Sequence, residues 1–191
     1  QIKVKDLNND GAIGANDDKQ IVGHTRPRWT GGWSNTFSWR GLSLDIFFTY
    51  MYGNDVYSAQ EPNMSKLSHR DGLQYDHAVN RWTGPGTTNV WPRALNGDNN
   101  NTRNSDFFLH DGSFIRLRTL TLSYRFPTNI ARKIYMKGLR IYGQVDNLFL
   151  ITRYPGYDPE VSSNMDPRFF GVDDLNVPQP RTFTFGVNVT F

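Results

Sequence analysis

The chain has 191 residues, with 21 Lys and Arg against 18 Asp and Glu, a net charge of +3, and no cysteine. These numbers exclude a disulfide framework and a thiolate metal site. The basic residues cluster only at Arg132, Lys133 and Lys137, too little for the stripe that nucleic acid requires. Hydrophobic residues are 37% and aromatics 14%, and no apolar run approaches the roughly 18 residues of a membrane helix. Membrane strands are not excluded, because they carry apolar groups only at alternate positions.

In chain order, residues 1–28 contain DLNNDGAIGAND, Asp6 to Asp17. Oxygens at Asp6, Asn8 and Asp10, a turn glycine, the Ala12 carbonyl and the Asp17 carboxylate repeat the spacing of an EF-hand-like calcium loop. Asp17 replaces the usual bidentate Glu and Gly14 brings no side chain, so weak Ca2+ affinity is expected. A metal-free Asn/Asp/Gly turn fits the same residues. Next, Trp33, Phe37 and Trp39 alternate with Ser34, Thr36, Ser38 and Arg40, although Asn35 spoils the apolar parity, and Arg40 with Gly41 reads as a tight turn. Leu42, Leu44, Ile46, Phe48 and Tyr50 alternate with Ser43, Asp45 and Thr49, with Phe47 as the exception. Period-2 patterns of this kind are strands with one oily and one wet face.

After a long connection, 52–112, the stretch Ser113 to Phe126 keeps Ile115 and Leu117 on the oily side, then Leu120, Leu122, Tyr124 and Phe126. That one-residue slip predicts a β-bulge near Arg118 and Thr119. The segment PTNIARKIYMKG predicts one or two helical turns after Pro127. Leu139, Ile141 and Val145 alternate with Arg140, Tyr142, Gln144 and Asp146, Gly143 being a weak point. A second long connection, 152–180, leads to Arg181–Phe191, in which Phe183, Phe185, Val187, Val189 and Phe191 hold one parity. Its length matches the 9–11 or so residues of a tilted membrane strand.

The expected fold is all-β and antiparallel. Five tilted strands cannot close a membrane barrel, and an open edge in lipid leaves backbone groups unpaired, so the chain is expected to be soluble or part of something larger. A start at Gln1 without Met or signal peptide fits a fragment or processed product. Trp39, Phe126 and Phe191 at one rim, with Tyr50, Tyr52 and Phe149 at the other, match interface girdles. Short turns and long loops match the periplasmic and external ends of outer-membrane barrels. On that rule 1–28, 52–112 and 152–180 face outward.

Several motifs keep a fixed order: the DLNNDGAI loop, WTGGWSNTFSWRGLSLDIFFTY, NRWTGPGTTNVWPR, DGSFIRLRTLTLSYRFP, GLRIYGQVDNLFLITRYPGYDPE and PQPRTFTFGVNVTF. Over essentially its whole length the chain resembles the C-terminal part of SusC/RagA-type TonB-dependent outer-membrane transporters. The resemblance implies the last strands of a 22-stranded transmembrane β-barrel integral to the bacterial outer membrane, in contact with its lipids, with a plug domain that this chain does not contain. It implies import of glycans or peptides with a SusD-like surface lipoprotein as lid, and coupling to TonB through the missing N-terminal part. Phe191 becomes the signal that barrel-assembly machinery reads. Tyr75, Trp82, Trp91, Tyr154, Tyr157 and Phe169 become candidates for ligand or lid contact, against the plainer expectation that loop aromatics pack on one another.

An enzyme is not expected. His24, His69, His77 and His110 lack metal-ligand spacing, and no GxSxG elbow or phosphate loop occurs. Two further readings are a secreted calcium-dependent binding or adhesion β-sandwich, whose strands alternate equally well, and a passive porin-like barrel without TonB coupling.

Overall fold

The computed structural model describes residues 4–14, 16–64, 76, 79–88, 90–94, 104–161 and 169–191. They fall into two compact units. One comprises Arg26–Asn54, Asp111–Glu160 and Val177–Phe191; the other comprises Gln1–Thr25, Asp55–His110 and Val161–Asn176.

The first unit is a five-stranded sheet of order β1 (Trp29–Trp39), β2 (Leu42–Tyr52), β5 (Phe114–Arg125), β6 (Gly138–Thr152) and β8 (Thr182–Thr190). All four pairings are antiparallel. Arg40 and Gly41 close the β1–β2 hairpin with φ of 46° and 87°. Two successive positive φ values suit the right-handed twist of a two-residue hairpin, and Gly takes the second without strain. Between β5 and β6 lies helix α2 (Thr128–Lys133) with Pro127 as its N-cap, as the segment predicted.

The predicted bulge is present. Leu120 pairs with Val145 and Thr119 with Asp146, whereas Leu117 pairs with Phe149. Arg118 is thus one extra residue in β5, and Asn147 and Leu148 are two in β6, with Asn147 at φ 54°. One extra residue shifts parity and two restore it. The apolar face therefore runs unbroken on both sides of the irregularity, through Trp33, Phe48, Leu117 and Phe149 in one row. Trp33 stacks on Phe48 with ring centroids 5.8 Å apart.

This face is open: Phe185 is 83% exposed, Val187 61% and Phe37 57%. Residues of opposite parity are mostly Ser, Thr, Asn, Asp, Gln and Arg, with Phe47, Met51, Phe114, Tyr142 and Leu150 the large exceptions. The Phe47 ring covers Gly32, where an added Cβ would come within 2.9 Å of it. Gly186 lies under the Tyr142 ring in the same way, so aromatic side chains shield the bare glycine backbone.

β1 begins at Trp29; Gly31 leaves its apolar parity blank while the backbone still pairs. β6 continues through the irregularity at Asn147 to Thr152.

The second unit holds strands inside the stretches expected to be loops. Strands β3 (Asp55–Ser58), β4 (Leu109–Asp111) and β7 (Val172–Asp173) form a sheet of order β4-β3-β7, with β3 and β7 parallel. A short helix, α1 (Glu61–Met64), follows β3. Val56 and Phe108 are fully buried and Val161 nearly so. Such strands are too short for alternation to reveal them.

Candidate functional site

The polar face of the five-stranded sheet gathers the hydrogen-bonding side chains. Asp45, Arg125, Arg140, Gln144 and Asp146, expected on the wet side, all lie there by register. Thr36 Oγ1 donates to Asp45 Oδ1 at 2.6 Å, and Thr119 Oγ1 to Asp146 Oδ1 at 3.1 Å. Gln144 Nε2 donates to both Asp146 oxygens, at 3.0 and 3.1 Å. The Thr36–Asp45 and Thr119–Asp146 bonds join neighbouring strands, and such cross-strand pairs are the unit of sheet stabilisation.

Toward the β5 N-terminus this face carries a cluster of four charges that strand periodicity did not reveal. Arg116 Nη2 donates to Asp158 Oδ1 at 2.5 Å. Arg116 Nε lies 3.0 Å from Glu160 Oε2, but the pair is poorly aligned for a hydrogen bond, so this contact is Coulombic. Arg118 Nη2 donates to Glu160 Oε1, and its Nε to Thr49 Oγ1 at 3.2 Å. Asp158 also accepts the Glu160 and Gln179 N–H groups at 3.0 and 3.1 Å. The Arg116 and Asp158 side chains are each 4% exposed. Two arginines matched by two carboxylates fasten the YPGYDPE segment to the sheet. The available signals were Arg116 on the wet parity of β5 and the charged pair flanking Pro159.

The Asp6–Asp17 loop is tied by its own side chains. Asp6 accepts the Asn9 and Gly11 N–H groups at 2.7 and 2.9 Å, Asn8 Oδ1 the Asp10 N–H at 3.1 Å, and Asp10 Oδ1 the Ala12 N–H at 2.8 Å. Gly11 turns at φ 82°. This turn and Asx ladder suit the frame of a calcium loop. The carboxylate that reaches across is Asp18, which accepts the Leu7 and Gly14 N–H groups at 2.7 and 2.6 Å; these bonds hold its pKa below the ordinary value. Among the described residues, no three His, Cys, Asp or Glu side chains are grouped as metal ligands.

The aromatic candidates are divided between the units. In the second unit the Trp82 N–H donates to the Trp91 carbonyl at 3.1 Å. The Trp91 ring meets Phe107 edge-on at 5.4 Å, and Phe169 is partly exposed. In the first, Tyr154 is buried with its ring over Gly156, whereas Tyr157 is exposed. Tyr75 lies outside the described residues. Phe191, just beyond β8, is exposed.

No protein-family model matches the chain. It is 28% identical to TonB-dependent receptor P39 and 31% identical to TonB-dependent receptor P26, both of Formosa agariphila. The alignments, each over 193 residues, cover 100% and 99% of this chain and 19% of each receptor. It is 38% identical over 89 residues to the TonB-dependent receptor SusC of Bacteroides thetaiotaomicron, covering 46% of this chain and 8% of that protein. A solved structure of the RagAB peptide importer in the open-open state matches 98% of this chain and 20% of its own chain, with TM-score 0.76 and 25% identity. The chain spans about one-fifth of the length of the receptors it matches end to end.

Proposed function

Because the chain belongs to the SusC/RagA-type family of TonB-dependent receptors, we propose that it supplies C-terminal strands to a 22-stranded barrel that imports glycans or peptides across the bacterial outer membrane. The observation that carries this reading is the difference between the faces of the five-stranded sheet. An open apolar surface spanning five strands is ordinarily an interaction site, and strands that alternate apolar-out and polar-in are the pattern of membrane barrels. On this reading the apolar face meets lipid and the polar face meets the aqueous lumen.

The partners follow from the same reading. The rest of the receptor closes the barrel and provides the plug. TonB engages a part outside this chain, and a SusD-like lipoprotein covers the mouth. Barrel-assembly machinery reads Phe191. Residues 1–28, 52–112 and 152–180 are the external segments, with Trp82, Trp91, Tyr157 and Phe169 the aromatics best placed for lid or ligand. Tyr154 packs inside its own unit instead. The relatives are receptors and an importer, and the chain is read as non-catalytic.

Detergent extraction of outer membranes tests this directly. The reading predicts that the chain is recovered within a species several times its size, together with a lipoprotein. Recovery from the soluble fraction as a species no larger than this chain would overturn it.

Calcium is a separate part of the proposal, held by Asp6, Asn8, Asp10, the Ala12 carbonyl and Asp17. Calorimetric titration of the intact receptor should show Ca2+ binding that Asp10→Ala weakens. Identical heats from both proteins would dispose of the site.

A further inference from the structure

Arg125 and Arg140 stand directly opposite each other on β5 and β6. Both lie on the polar face, and like charges in that position repel. Arg40, from the β1–β2 turn, lines the same groove of about 470 Å³, whose other walls include Ser43, Ser123 and a single carboxylate, Asp45. Asp45 is engaged by Thr36. Among the described residues no carboxylate lies within ion-pair distance of any of the three guanidiniums. Their partners are neutral: Arg140 Nη2 donates to Ser123 Oγ at 3.0 Å and lies against Tyr142, while Arg40 lies against Trp39.

The contrast with the other end of the same face is informative. There, two arginines are matched by two carboxylates; here, three meet one. A guanidinium presents a planar fork of N–H donors that fits a carboxylate bidentately, and an oxyanion between Arg125 and Arg140 turns their repulsion into shared attraction. We propose that this groove is an oxyanion site, binding a carboxylate between Arg125 and Arg140 with Arg40 at its edge. Two sources offer that chemistry: an Asp or Glu side chain from the rest of the receptor, or a free carboxylate solute. The site rests on charge placement and does not depend on the transport reading, so either can fail alone.

The sign of one substitution is diagnostic. If the site is occupied, Arg140→Gln removes an attraction and lowers the melting temperature of the intact, detergent-solubilised receptor. If it is empty, the substitution relieves repulsion and the melting temperature rises or holds. The probe is succinate, compared with sodium chloride at equal ionic strength. A saturable upward shift that Arg140→Gln abolishes identifies a free carboxylate as the ligand. A drop that exceeds by at least about 1 °C the drop of Ser123→Ala, which removes only the neutral Arg140–Ser123 hydrogen bond, with no response of the unsubstituted receptor to succinate, identifies a carboxylate of the receptor itself; a drop no larger than that of Ser123→Ala overturns the proposal. If Arg140→Gln does not assemble, Arg125→Gln serves in its place. Variants that melt at or above the unsubstituted receptor, or a succinate shift equal in both, would overturn the proposal.

Discussion

The strands of the large sheet run for 11, 11, 12, 15 and 9 residues, those of the small sheet for 4, 3 and 2. In the large sheet, the same alternation repeats along every strand, so its register is specified many times over. The small sheet depends on single contacts. Val56 and Phe108 are buried, the Asp55 carboxylate accepts the His24 N–H at 2.8 Å, and the Tyr57 hydroxyl donates to Asn104 at 2.8 Å. A periodic pattern tolerates an exception such as Phe47, whereas a fold built on a few contacts is sensitive to each of them.

The largest test of this contrast lies where the large sheet also relies on individual contacts. Asp158→Asn removes a buried charge facing Arg116, and such losses cost on the order of 3–5 kcal/mol, reduced here because Glu160 still faces the arginine. Chemical denaturation of the intact receptor should show the loss, and hydrogen exchange should speed up at 153–160. Unchanged exchange there would mean that the charges do not hold the segment.

Next in size is the face test. Val187→Arg puts a charge on the apolar face, at about 2–4 kcal/mol if it reaches the bilayer midplane, whereas Asn188→Arg stays on the polar face. The amount of receptor assembled in outer membranes should fall for the first and hold for the second. Equal effects would reject the assignment of faces.

In the small sheet, Val56→Ala should cost about 1–3 kcal/mol by leaving a cavity. Hydrogen exchange should accelerate around Asp55–Ser58 and leave Thr182–Thr190 unchanged. Loss of protection in both places would mean that the two sheets unfold together.

The smallest effect concerns Asp18. Its pKa lies below the ordinary carboxylate value because of the Leu7 and Gly14 N–H bonds. Its stabilisation of the loop is therefore complete above that value and disappears as pH falls through the lower folded one. Exchange at Leu7 and Gly14, corrected for intrinsic rates, should rise on acidification across that window, and Asp18→Asn should flatten the change.

All five long strands were legible from side-chain parity, and so was the bulge, because Leu117 and Leu120 cannot share a face without an inserted residue. Asn147 was harder to read: its two-residue irregularity leaves parity unchanged. The Arg116–Asp158 and Arg118–Glu160 pairs join positions 42 residues apart, a distance over which periodicity carries no information. The acidic loop was recognisable by spacing, yet neighbouring carboxylates cannot be told apart by spacing alone, and it is Asp18 rather than Asp17 that receives the backbone bonds. The small sheet escaped notice because its strands are shorter than the window in which alternation can be recognised.

If the chain is part of a membrane barrel, the apolar face of the large sheet lies in lipid. The chain has no cysteine, so single cysteines at 182–190 in the reconstituted receptor, with any cysteines elsewhere replaced, can each carry a spin label whose contact with oxygen and with a water-soluble nickel complex is measured. Oxygen maxima are expected at positions 183, 185, 187 and 189 and nickel maxima at the positions between them. Equal access to the nickel complex along the whole strand, without alternation, would contradict the lipid placement.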